Sequence, residues 1–331
     1  MPLKRNLFIS ATTEEPRNME TITQRIDKIT EIPDQYRHIV LPAPPSVKIE
    51  LTSHCNFRCS FCAHQLHGKQ FGHMSWEFFK KIALDMRESG VEELGLFYIG
   101  ESMLCPWIAE AVSYAKSIGF PYVFLTTNGS LATAEKVAPL MAAGLDSLKW
   151  SLNNADKWQF RQITGMAPSM FDAIKQNVKD VYGIRQRFGY KTKIYASSIK
   201  YDGEQQIAMQ RLVDEIKPFV DEHYWLPLLS FGSKAKEEEV KLGLSPVVGN
   251  PGRLEMMRQP LPCWATMKEG HITHDGKLSA CCFDNSNSWI MADLNEVSFM
   301  DGWNSDKFQA LRKAHLSGNV KGTACAGCIG Q

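Results

Sequence analysis

The sequence predicts an α/β fold in which a partial (β/α)6 TIM-type barrel precedes a small cysteine-rich domain. From residue 46 onward, short apolar runs alternate with amphipathic helical windows, which is the pattern of a parallel sheet covered by helices. Six such units occur without a closing pair, so a partial barrel is favoured over eight complete units. Five of the nine cysteines lie beyond residue 262. The chain therefore divides into an N-terminal extension, a barrel, a connector and a C-terminal domain, at residues 1–45, 46–229, 230–262 and 263–331.

Hydrophobic periodicity and capping residues predict the individual elements of the barrel. The predicted strands span residues 46–52, 94–99, 122–127, 147–152, 193–199 and 222–229. The predicted helices span residues 75–89, 106–118, 133–143, 169–188 and 204–217. Ser75, Thr133 and Ser169 are expected to cap three of these helices, because a side-chain hydroxyl accepts a hydrogen bond from an otherwise unpaired backbone N–H.

The two ends of the chain carry less regular structure. A weak helical stretch at residues 21–32 is the only element expected in the N-terminal extension, which we expect to pack on the barrel. The connector is rich in glycine, proline and charge. In the C-terminal domain, short apolar runs at residues 271–273 and 277–283 flank Asp275-Gly276, a strong hairpin signal, and one helix is predicted at residues 304–317.

Composition excludes several classes of protein. The chain has 331 residues, enough to bury a large core, and 37 basic side chains balance 36 acidic ones for a net charge of +1. These nearly equal numbers of basic and acidic side chains argue against a protein that binds nucleic acid through an excess of positive charge. The N-terminus lacks the apolar run of a signal peptide, and no stretch is long enough to span a bilayer. We expect a cytoplasmic protein with no nucleic-acid partner and no membrane association.

Cysteine spacing points to two metal sites. In a chain without an export signal, clustered cysteines indicate metal binding rather than disulfide bonds. Cys55, Cys59 and Cys62 follow the first predicted strand and form a soft-metal site, suited to an iron–sulfur cluster, Zn(II) or Cu(I). A cubane cluster held by three cysteines leaves one iron open to bind and activate a small molecule. The alternatives are three unrelated buried cysteines, or a zinc site completed by His54, His64 or His67.

The spacing C-x-x-x-C-x-x-C, with an aromatic residue (Phe61) before its last cysteine, resembles the signature loop of the radical S-adenosylmethionine (SAM) enzymes. In that family the loop holds a [4Fe–4S] cluster whose open iron chelates SAM. An electron from the cluster cleaves SAM to a 5′-deoxyadenosyl radical. The resemblance implies the same cofactors here, and an external one-electron reductant such as flavodoxin or ferredoxin.

Features at the predicted strand ends extend the resemblance. Gly100-Glu101 resembles the second half of the "GGE" motif that meets the SAM ammonium, although Ile99 replaces its first glycine. Asn128 lies in a "TNG" turn, and Ser151 with Arg161 matches a serine and arginine that bind the SAM ribose and carboxylate. Glu101 has the alternative of a surface carboxylate, and Arg161 that of a solvated helix-side charge. The cofactor-binding residues implied by the resemblance are Phe61, Gly100, Glu101, Asn128, Ser151 and Arg161.

The second metal site comprises Cys263, Cys281, Cys325 and Cys328, four thiolates that saturate one [4Fe–4S] cluster or one structural zinc. Together with Trp264, the Cys281-Cys282-x-Asp284 run and the following helix, they resemble the twitch form of the SPASM domain that is appended to radical SAM barrels. The chain stops three residues after Cys328, so one auxiliary [4Fe–4S] cluster is expected. Cys282 and Cys105 remain, each either a packed thiol or a hydrogen-atom donor to a substrate radical.

The resemblance to twitch dehydrogenases implies two-electron oxidation of an alcohol carbon in a small, sugar- or aminocyclitol-like substrate. The auxiliary cluster would accept the second electron. Side chains considered for the substrate base are Lys200, Tyr201, His223, Arg253 and Asp284. The alternatives are a radical epimerase or other redox-neutral rearrangement, and a peptide (RiPP-type) or protein maturase, for which residues 1–45 are too few to form a peptide-recognition domain. A different class is a non-catalytic electron carrier or a zinc-stabilised binding module.

Overall fold

The computed structural model describes residues 20–62, 64, 71–229, 244–284 and 289–329. Nine strands in these residues form one sheet, in the order β6-β5-β4-β3-β2-β1-β7-β8-β9. All pairs from β6 to β7 are parallel, and the last two pairs are antiparallel. The strands are β1 Ser46–Ile49, β2 Glu93–Gly95, β3 Tyr122–Thr127, β4 Ser147–Ser151, β5 Lys193–Ile199, β6 Glu222–Leu226, β7 Glu269–Ile272, β8 Lys277–Ser279 and β9 Ile290–Asp293.

Eleven α-helices accompany the sheet in the described part of the chain. They are α1 Ile22–Thr30, α2 Trp76–Glu88, α3 Ile108–Ser117, α4 Ala134–Ala142, α5 Lys157–Thr164, α6 Ser169–Phe188, α7 Gly203–Ile216, α8 Trp264–Lys268, α9 Phe299–Trp303, α10 Asp306–Leu316 and α11 Ala326–Ile329. None of the described helices has the length and apolar character required to cross a membrane.

The six-unit partial barrel is confirmed, with each predicted strand and helix of the barrel present. Ser75 and Thr133 cap α2 and α4 as predicted, accepting hydrogen bonds from the backbone N–H of Phe78 and Lys136. The prediction for Ser169 was wrong, because Ser169 is the first residue of α6 and Pro168 occupies the cap position. Helices α5, α8, α9 and α11 and strand β9 were not predicted. The four helices are short, and β9 lacks the alternating pattern that reveals a strand.

The barrel and the C-terminal domain share the sheet. The predicted hairpin is present as β7 and β8, with Ile272 opposite Leu278. Strand β7 also pairs in parallel with β1, in a register that matches Ser46 to Glu269 and Ile49 to Ile272. The hairpin therefore continues the barrel wall beyond its first strand. The division of the chain into four segments stays a prediction.

Helix α1 lies across the N-terminal ends of the barrel strands. A reciprocal capping box between Thr21 and Gln24 begins the helix. The guanidinium of Arg25 bonds the carboxylate of Glu93, the first residue of β2, at 2.6 Å and stacks 3.3 Å over the ring of Tyr122, the first residue of β3. The N-terminal extension therefore packs on the barrel, as expected, and closes that end of it.

The C-terminal domain is anchored by a buried arginine. Arg312 of α10 is fully buried, and burial lowers its pKa to about 9. Its guanidinium lies 4.2 Å over the ring of Trp303 and donates to the carbonyl oxygens of Thr266 and Ile39. One side chain thus ties together α10, α8 and the segment that precedes β1.

Candidate functional site

The loop that carries the first three cysteines is held at the C-terminal end of β1 by helix α5. The backbone N–H groups of Arg58 and Ser60 donate to the carbonyl oxygens of Thr164 and Ile163, at 3.0 and 2.9 Å. These carbonyls belong to the last turn of α5, where no helical N–H is left to bond them. The loop therefore supplies hydrogen-bond donors for the last carbonyl groups of α5, and these hydrogen bonds hold the loop in place.

Cys55, Cys59 and Cys62 lie close enough to influence one another's ionisation, and all three are partly exposed. The pKa of Cys55 is raised to about 12, first by burial and then by the neighbouring Glu101 and Cys62. The pKa of Cys59 is also raised, first by burial and then by the other two thiols. Cysteine binds a metal as the thiolate, and the raised pKa values mean that deprotonation of these thiols is unfavourable. A positively charged iron–sulfur core would offset that unfavourable free energy. The donor set and its open side fit a [4Fe–4S] cluster.

Two of the three histidines considered for a zinc site have other roles. His54 is exposed and stacks on Phe71, with ring centroids 5.7 Å apart, and the Nε2 of the buried His64 lies 2.9 Å from the carbonyl oxygen of Ser53. His67 lies outside the described residues. Sulfurs bound at about 2.3 Å to one tetrahedral ion lie only about 4 Å apart. No group of three or more metal-binding side chains within the described residues could hold a single ion in this way.

Gly100 brings the second strand end against the cluster loop. A Cβ at this position would lie 2.2 Å from the carbonyl oxygen of Thr52 and 2.8 Å from that of His54, so only glycine fits. The backbone N–H of Glu101 donates to the same carbonyl of His54 at 2.8 Å. This close contact requires glycine at position 100, the second glycine of the GGE-like motif, whereas Ile99 occupies the position of the first.

Glu101 is buried rather than a surface carboxylate, so that alternative is wrong. Its carboxylate accepts from the Thr127 hydroxyl and the Asn128 backbone N–H, both at 2.7 Å, and from the Met103 N–H at 3.2 Å. Burial raises the pKa of Glu101, while these three donors oppose that effect. The carboxylate links the ends of β2 and β3, close to Cys55.

The Asn128 turn joins the same cluster of groups. The Asn128 side-chain amide donates to Asn56 Oδ1 of the cluster loop at 2.9 Å, and its own Oδ1 accepts from Ser130. Gly129 has a φ of +83°, and a Cβ there would lie 2.5 Å from the ring of Trp150. The turn is therefore fixed both by backbone conformation and by lack of space.

The remaining residues implied for SAM binding are divided. Ser151, the last residue of β4, lines a small cavity together with Asn128 and Phe57, and Phe61 is partly buried against the core. Arg161 lies on the exposed face of α5 and does not line that cavity. The structure thus brings Ser151 to Asn128 but leaves Arg161 in the position of a solvated helix charge.

Cys263, Cys281, Cys325 and Cys328 line one small cavity in the C-terminal domain. They come from the residue before α8, the segment after β8, and the two sides of the α11 turn. The pKa of Cys263 is raised to about 12, first by burial and then by the nearby Cys328. Four soft donors around one enclosed space fit a fully ligated cluster.

A larger cavity, of about 350 Å³, lies inside the barrel and is called the barrel cavity here. Helix α1 forms its floor, and inward-facing residues of the strands together with residues of the C-terminal domain form its walls. Its volume is within the range of small-molecule sites. Its charged or polar lining includes Arg25, Lys48, Glu93, Tyr98, Thr126, Ser147, Lys149, Tyr224, Asn250, Glu269 and Cys282.

Lys48 and Glu269 form a buried ion pair in the wall of the barrel cavity. Their Nζ and Oε2 atoms lie 2.9 Å apart, and Nε2 of the fully buried His271 lies 2.9 Å from the same oxygen. Burial alone would raise the pKa of Glu269, but Lys48 and His271 outweigh it and lower the pKa to about 2. The carboxylate is therefore ionised at neutral pH.

None of the five side chains considered for the substrate base lines the barrel cavity. Nε2 of His223 lies 3.0 Å from Ser198 Oγ, the Tyr201 hydroxyl donates to the Asn153 carbonyl, and Arg253 pairs with Asp27. Lys200 is exposed, and Asp284 accepts from Ser279 and from the backbone of Trp289. Lys48 and Lys149 were missed because they lie inside strands, where sequence reading expects packing. The signal that could have found them is a lysine within an otherwise apolar run.

The two leftover cysteines occupy different environments. Cys105 is only 3% exposed and belongs to the hydrophobic core. Cys282 is partly exposed and lines the barrel cavity. Its sulfur lies 3.7 Å from the side-chain nitrogen of Asn250, which lines both the barrel cavity and the four-cysteine cavity. Cys282 thus stands at the wall between the two cavities.

Two sequence families match the chain. The Radical SAM superfamily matches residues 49–187, and an iron-sulfur cluster-binding domain, SPASM, matches residues 263–329. The first match contains the three-cysteine loop and the strand-end groups around Glu101. The second contains the four cysteines of the smaller cavity.

Individual relatives match over part of their length. The PqqA peptide cyclase of Streptomyces rochei is 32% identical over 124 residues, which are 37% of this chain and 34% of the relative. Across the first curated relatives, the matched share of the relative runs from 30% to 52%. The chain therefore spans about a third to a half of the length of the curated relatives it matches.

Solved structures match over most of the chain and show the fold. Streptococcus suis SuiB bound to S-adenosylmethionine has a TM-score of 0.63 at 16% identity, covering 88% of this chain and 73% of SuiB. BtrN in complex with AdoMet and 2-DOIA has a TM-score of 0.53 at 16% identity, covering 83% of this chain and 87% of BtrN.

Proposed function

Because this chain belongs to the radical SAM superfamily and carries a C-terminal iron–sulfur cluster-binding domain, we propose that it oxidises a small molecule by two electrons within the barrel cavity. The family uses SAM and a [4Fe–4S] cluster, and when bound these supply a 5′-deoxyadenosyl radical that takes a hydrogen atom from a C–H bond. The proposed ligands of that cluster are Cys55, Cys59 and Cys62. An auxiliary [4Fe–4S] cluster is proposed on Cys263, Cys281, Cys325 and Cys328.

The observation that carries the proposal is the position of the barrel cavity. It extends from the inward faces of the strands to Asn250 and Phe283, two residues that also line the four-cysteine cavity. Under this proposal, a substrate in this space would lie between the SAM site and the auxiliary cluster. Such an arrangement suits oxidation of an alcohol carbon to a ketone: once the hydrogen atom is removed, the hydroxyl proton passes to water and the second electron passes to the auxiliary cluster.

Residues of this chain would orient SAM rather than perform chemistry on it. Gly100 and Glu101 bring a buried carboxylate beside the cluster loop, where it can meet the SAM ammonium. Asn128 and Ser151 share the adjoining cavity and offer an amide and a hydroxyl to the remainder of the molecule. Hydrogen bonds from three donors hold the Glu101 carboxylate in place before any ligand binds.

The size of the cavity favours a small molecule over a peptide. Helix α1 closes the N-terminal end of the barrel and leaves about 350 Å³. Two similar proteins are nevertheless connected with peptides by name, the PqqA peptide cyclase and SuiB, which has also been solved bound to its precursor peptide SuiA. A peptide substrate would therefore have to place one side chain, rather than a length of backbone, in the barrel cavity.

Cys282 favours a second candidate, a redox-neutral epimerisation. A substrate carbon radical can take the hydrogen atom of the Cys282 thiol, forming a C–H bond while the S–H bond breaks. The resulting thiyl radical returns to the thiol by taking one electron from the proposed external one-electron reductant and one proton from water. Cys105 lies in the core and has no access to the barrel cavity, so it is not proposed for this step.

Anaerobic reconstitution tests the proposed function. We expect about eight irons per chain from two cubane clusters, and release of 5′-deoxyadenosine from SAM when dithionite or reduced flavodoxin supplies the electron. Zinc bound tightly in place of iron, with no 5′-deoxyadenosine, would refute it. With a substrate in hand, a ketone product supports oxidation, and solvent deuterium on carbon supports epimerisation.

A further inference from the structure

Lys149 lies in the wall of the barrel cavity, and no carboxylate among the described residues pairs with its ammonium group. It lies in the middle of β4 and lines the cavity, with Nζ 3.3 Å from the hydroxyl oxygen of Tyr224. Among the residues that the structure describes, it forms no ion pair. Its position differs from those of the other two cations in the cavity, Arg25 and Lys48, which have carboxylate partners at 2.6 and 2.9 Å.

Those two pairs use both carboxylates of the cavity. Glu93 is held by Arg25, and Glu269 by Lys48 and His271. The lining therefore has three cationic side chains against two carboxylates. A partly buried ammonium without a counter-charge is unfavourable unless water or a ligand compensates for it.

We propose that the substrate of the barrel cavity carries an anionic group, a carboxylate or a phosphate, that pairs with Lys149. The inference rests on the proposed function, since it concerns the same cavity. Thr126 lies opposite Lys149 in the β3–β4 register and also lines the cavity, so its hydroxyl can donate to the same anion.

The strand geometry also orients the substrate. Ser151 lies two residues beyond Lys149 on β4 and therefore on the same face of the sheet, nearer the proposed SAM site. An anion held at Lys149 places the rest of a small substrate toward the strand ends, where a hydrogen atom would be removed. An aminocyclitol-like substrate fits this cavity less well, because its ammonium groups would face an excess of positive charge.

The test measures binding of two probes, inorganic phosphate and acetate, to the anaerobically reconstituted 331-residue chain at constant ionic strength. Titration calorimetry gives the affinity, and acetylation of lysines followed by peptide mass spectrometry reports access to each amine. We expect phosphate, acetate or both to protect Lys149 from acetylation, and the stronger probe to identify the anion. Lys149→Met should weaken binding by about tenfold or more, the effect of losing one charge-assisted hydrogen bond.

Two further variants keep the result interpretable. Lys149→Arg retains the charge and should restore most of the affinity, which a folding defect would not allow. Lys136→Met removes an exposed lysine of α4 outside the barrel cavity and should bind both probes like the unmodified chain. Equal affinity of the Lys149→Met variant and the unmodified chain, or absence of protection at Lys149 by both anions, would overturn the inference. Release of 5′-deoxyadenosine by the unmodified chain is a separate measurement. It tests the proposed function independently of anion binding at Lys149.

Discussion

The two cysteine sites of this chain differ in how far the protein encloses them. The loop from Cys55 to Cys62 presents three partly exposed thiols at the end of β1. In the C-terminal domain, by contrast, Cys263, Cys281 and Cys325 are buried, and with Cys328 they line one closed space. Three donors with an open side suit a site that must bind a further ligand, whereas four donors around a closed space suit electron transfer or structure.

The surroundings of the two sites follow the same division. Polar groups lie beside the first loop, where Glu101 and Asn128 are held by hydrogen bonds near Cys55. Mainly apolar side chains surround the second site, including Phe283, Trp289 and Ile329. The polar groups beside the first loop suit a site that binds a further polar ligand, and the apolar side chains around the second site suit one that binds none.

The largest effect is expected from Cys59→Ala. Removal of one of the three proposed ligands should prevent assembly of the proposed SAM-binding cluster, so 5′-deoxyadenosine should fall to background and iron to about half. Chromatography of reaction products and iron analysis measure both. Cys105→Ala is the matched control, because Cys105 lies in the core and lines neither cavity. If the Cys59 variant still cleaved SAM, the contrast between an open and a closed site would be lost.

Cys263→Ala should separate the two sites. We expect the iron content to fall by about half while reductive cleavage of SAM continues, because the first loop lies in a different part of the structure. Oxidation of the substrate should be lost, since the second electron would have no acceptor. The measurement is the ratio of 5′-deoxyadenosine to product. Loss of SAM cleavage together with oxidation would mean that the two sites form one assembly unit.

Gly100→Ala should destabilise the chain by about 1–3 kcal/mol, the usual cost of overpacking, and weaken SAM binding. Its Cβ would lie 2.2 Å from the Thr52 carbonyl oxygen, so the strand end must move away from the cluster loop. Urea unfolding and SAM titration measure the two effects. Gly183→Ala is the control: a Cβ there meets nothing within 4 Å inside α6, and the helix should gain about 0.5–1 kcal/mol. Equal stabilities of the two variants would show that the close approach at Gly100 is not rigid.

Cys282→Ala is expected to have the smallest effect on stability and cofactor content, since Cys282 is not a proposed ligand. Its consequence depends on the reaction. In an epimerase, deuterium from heavy water should appear on a product carbon with the unmodified chain and disappear with the variant. In a dehydrogenase, the ketone should form with both. Mass spectrometry of the product distinguishes these results, and deuterium that persisted in the variant would exclude Cys282 as the donor.

Much of the fold could be predicted from local patterns. All six barrel strands and five of the helices that connect them were predicted, and the β7–β8 hairpin followed from Asp275-Gly276, because periodicity and turn chemistry are encoded in neighbouring residues. Helix α5 escaped prediction because it has only eight residues. Its C-terminal carbonyls nevertheless hold the cluster loop, a role that depends on contact between segments about a hundred residues apart.

The sequence by itself determined the cysteine spacing, the barrel pattern and the strand-end groups, since each is written in residues that are adjacent or regularly spaced. Only the tertiary structure decided which of these residues meet. It buried Glu101, left Arg161 exposed, separated Cys282 from Cys105, and assembled the barrel cavity from α1, distant strands and the C-terminal domain. The physical reason is that side-chain burial and ion pairing are set by packing between elements. Lys48 and Lys149 look alike in the sequence, yet a carboxylate from β7 neutralises the first and leaves the second available to a ligand.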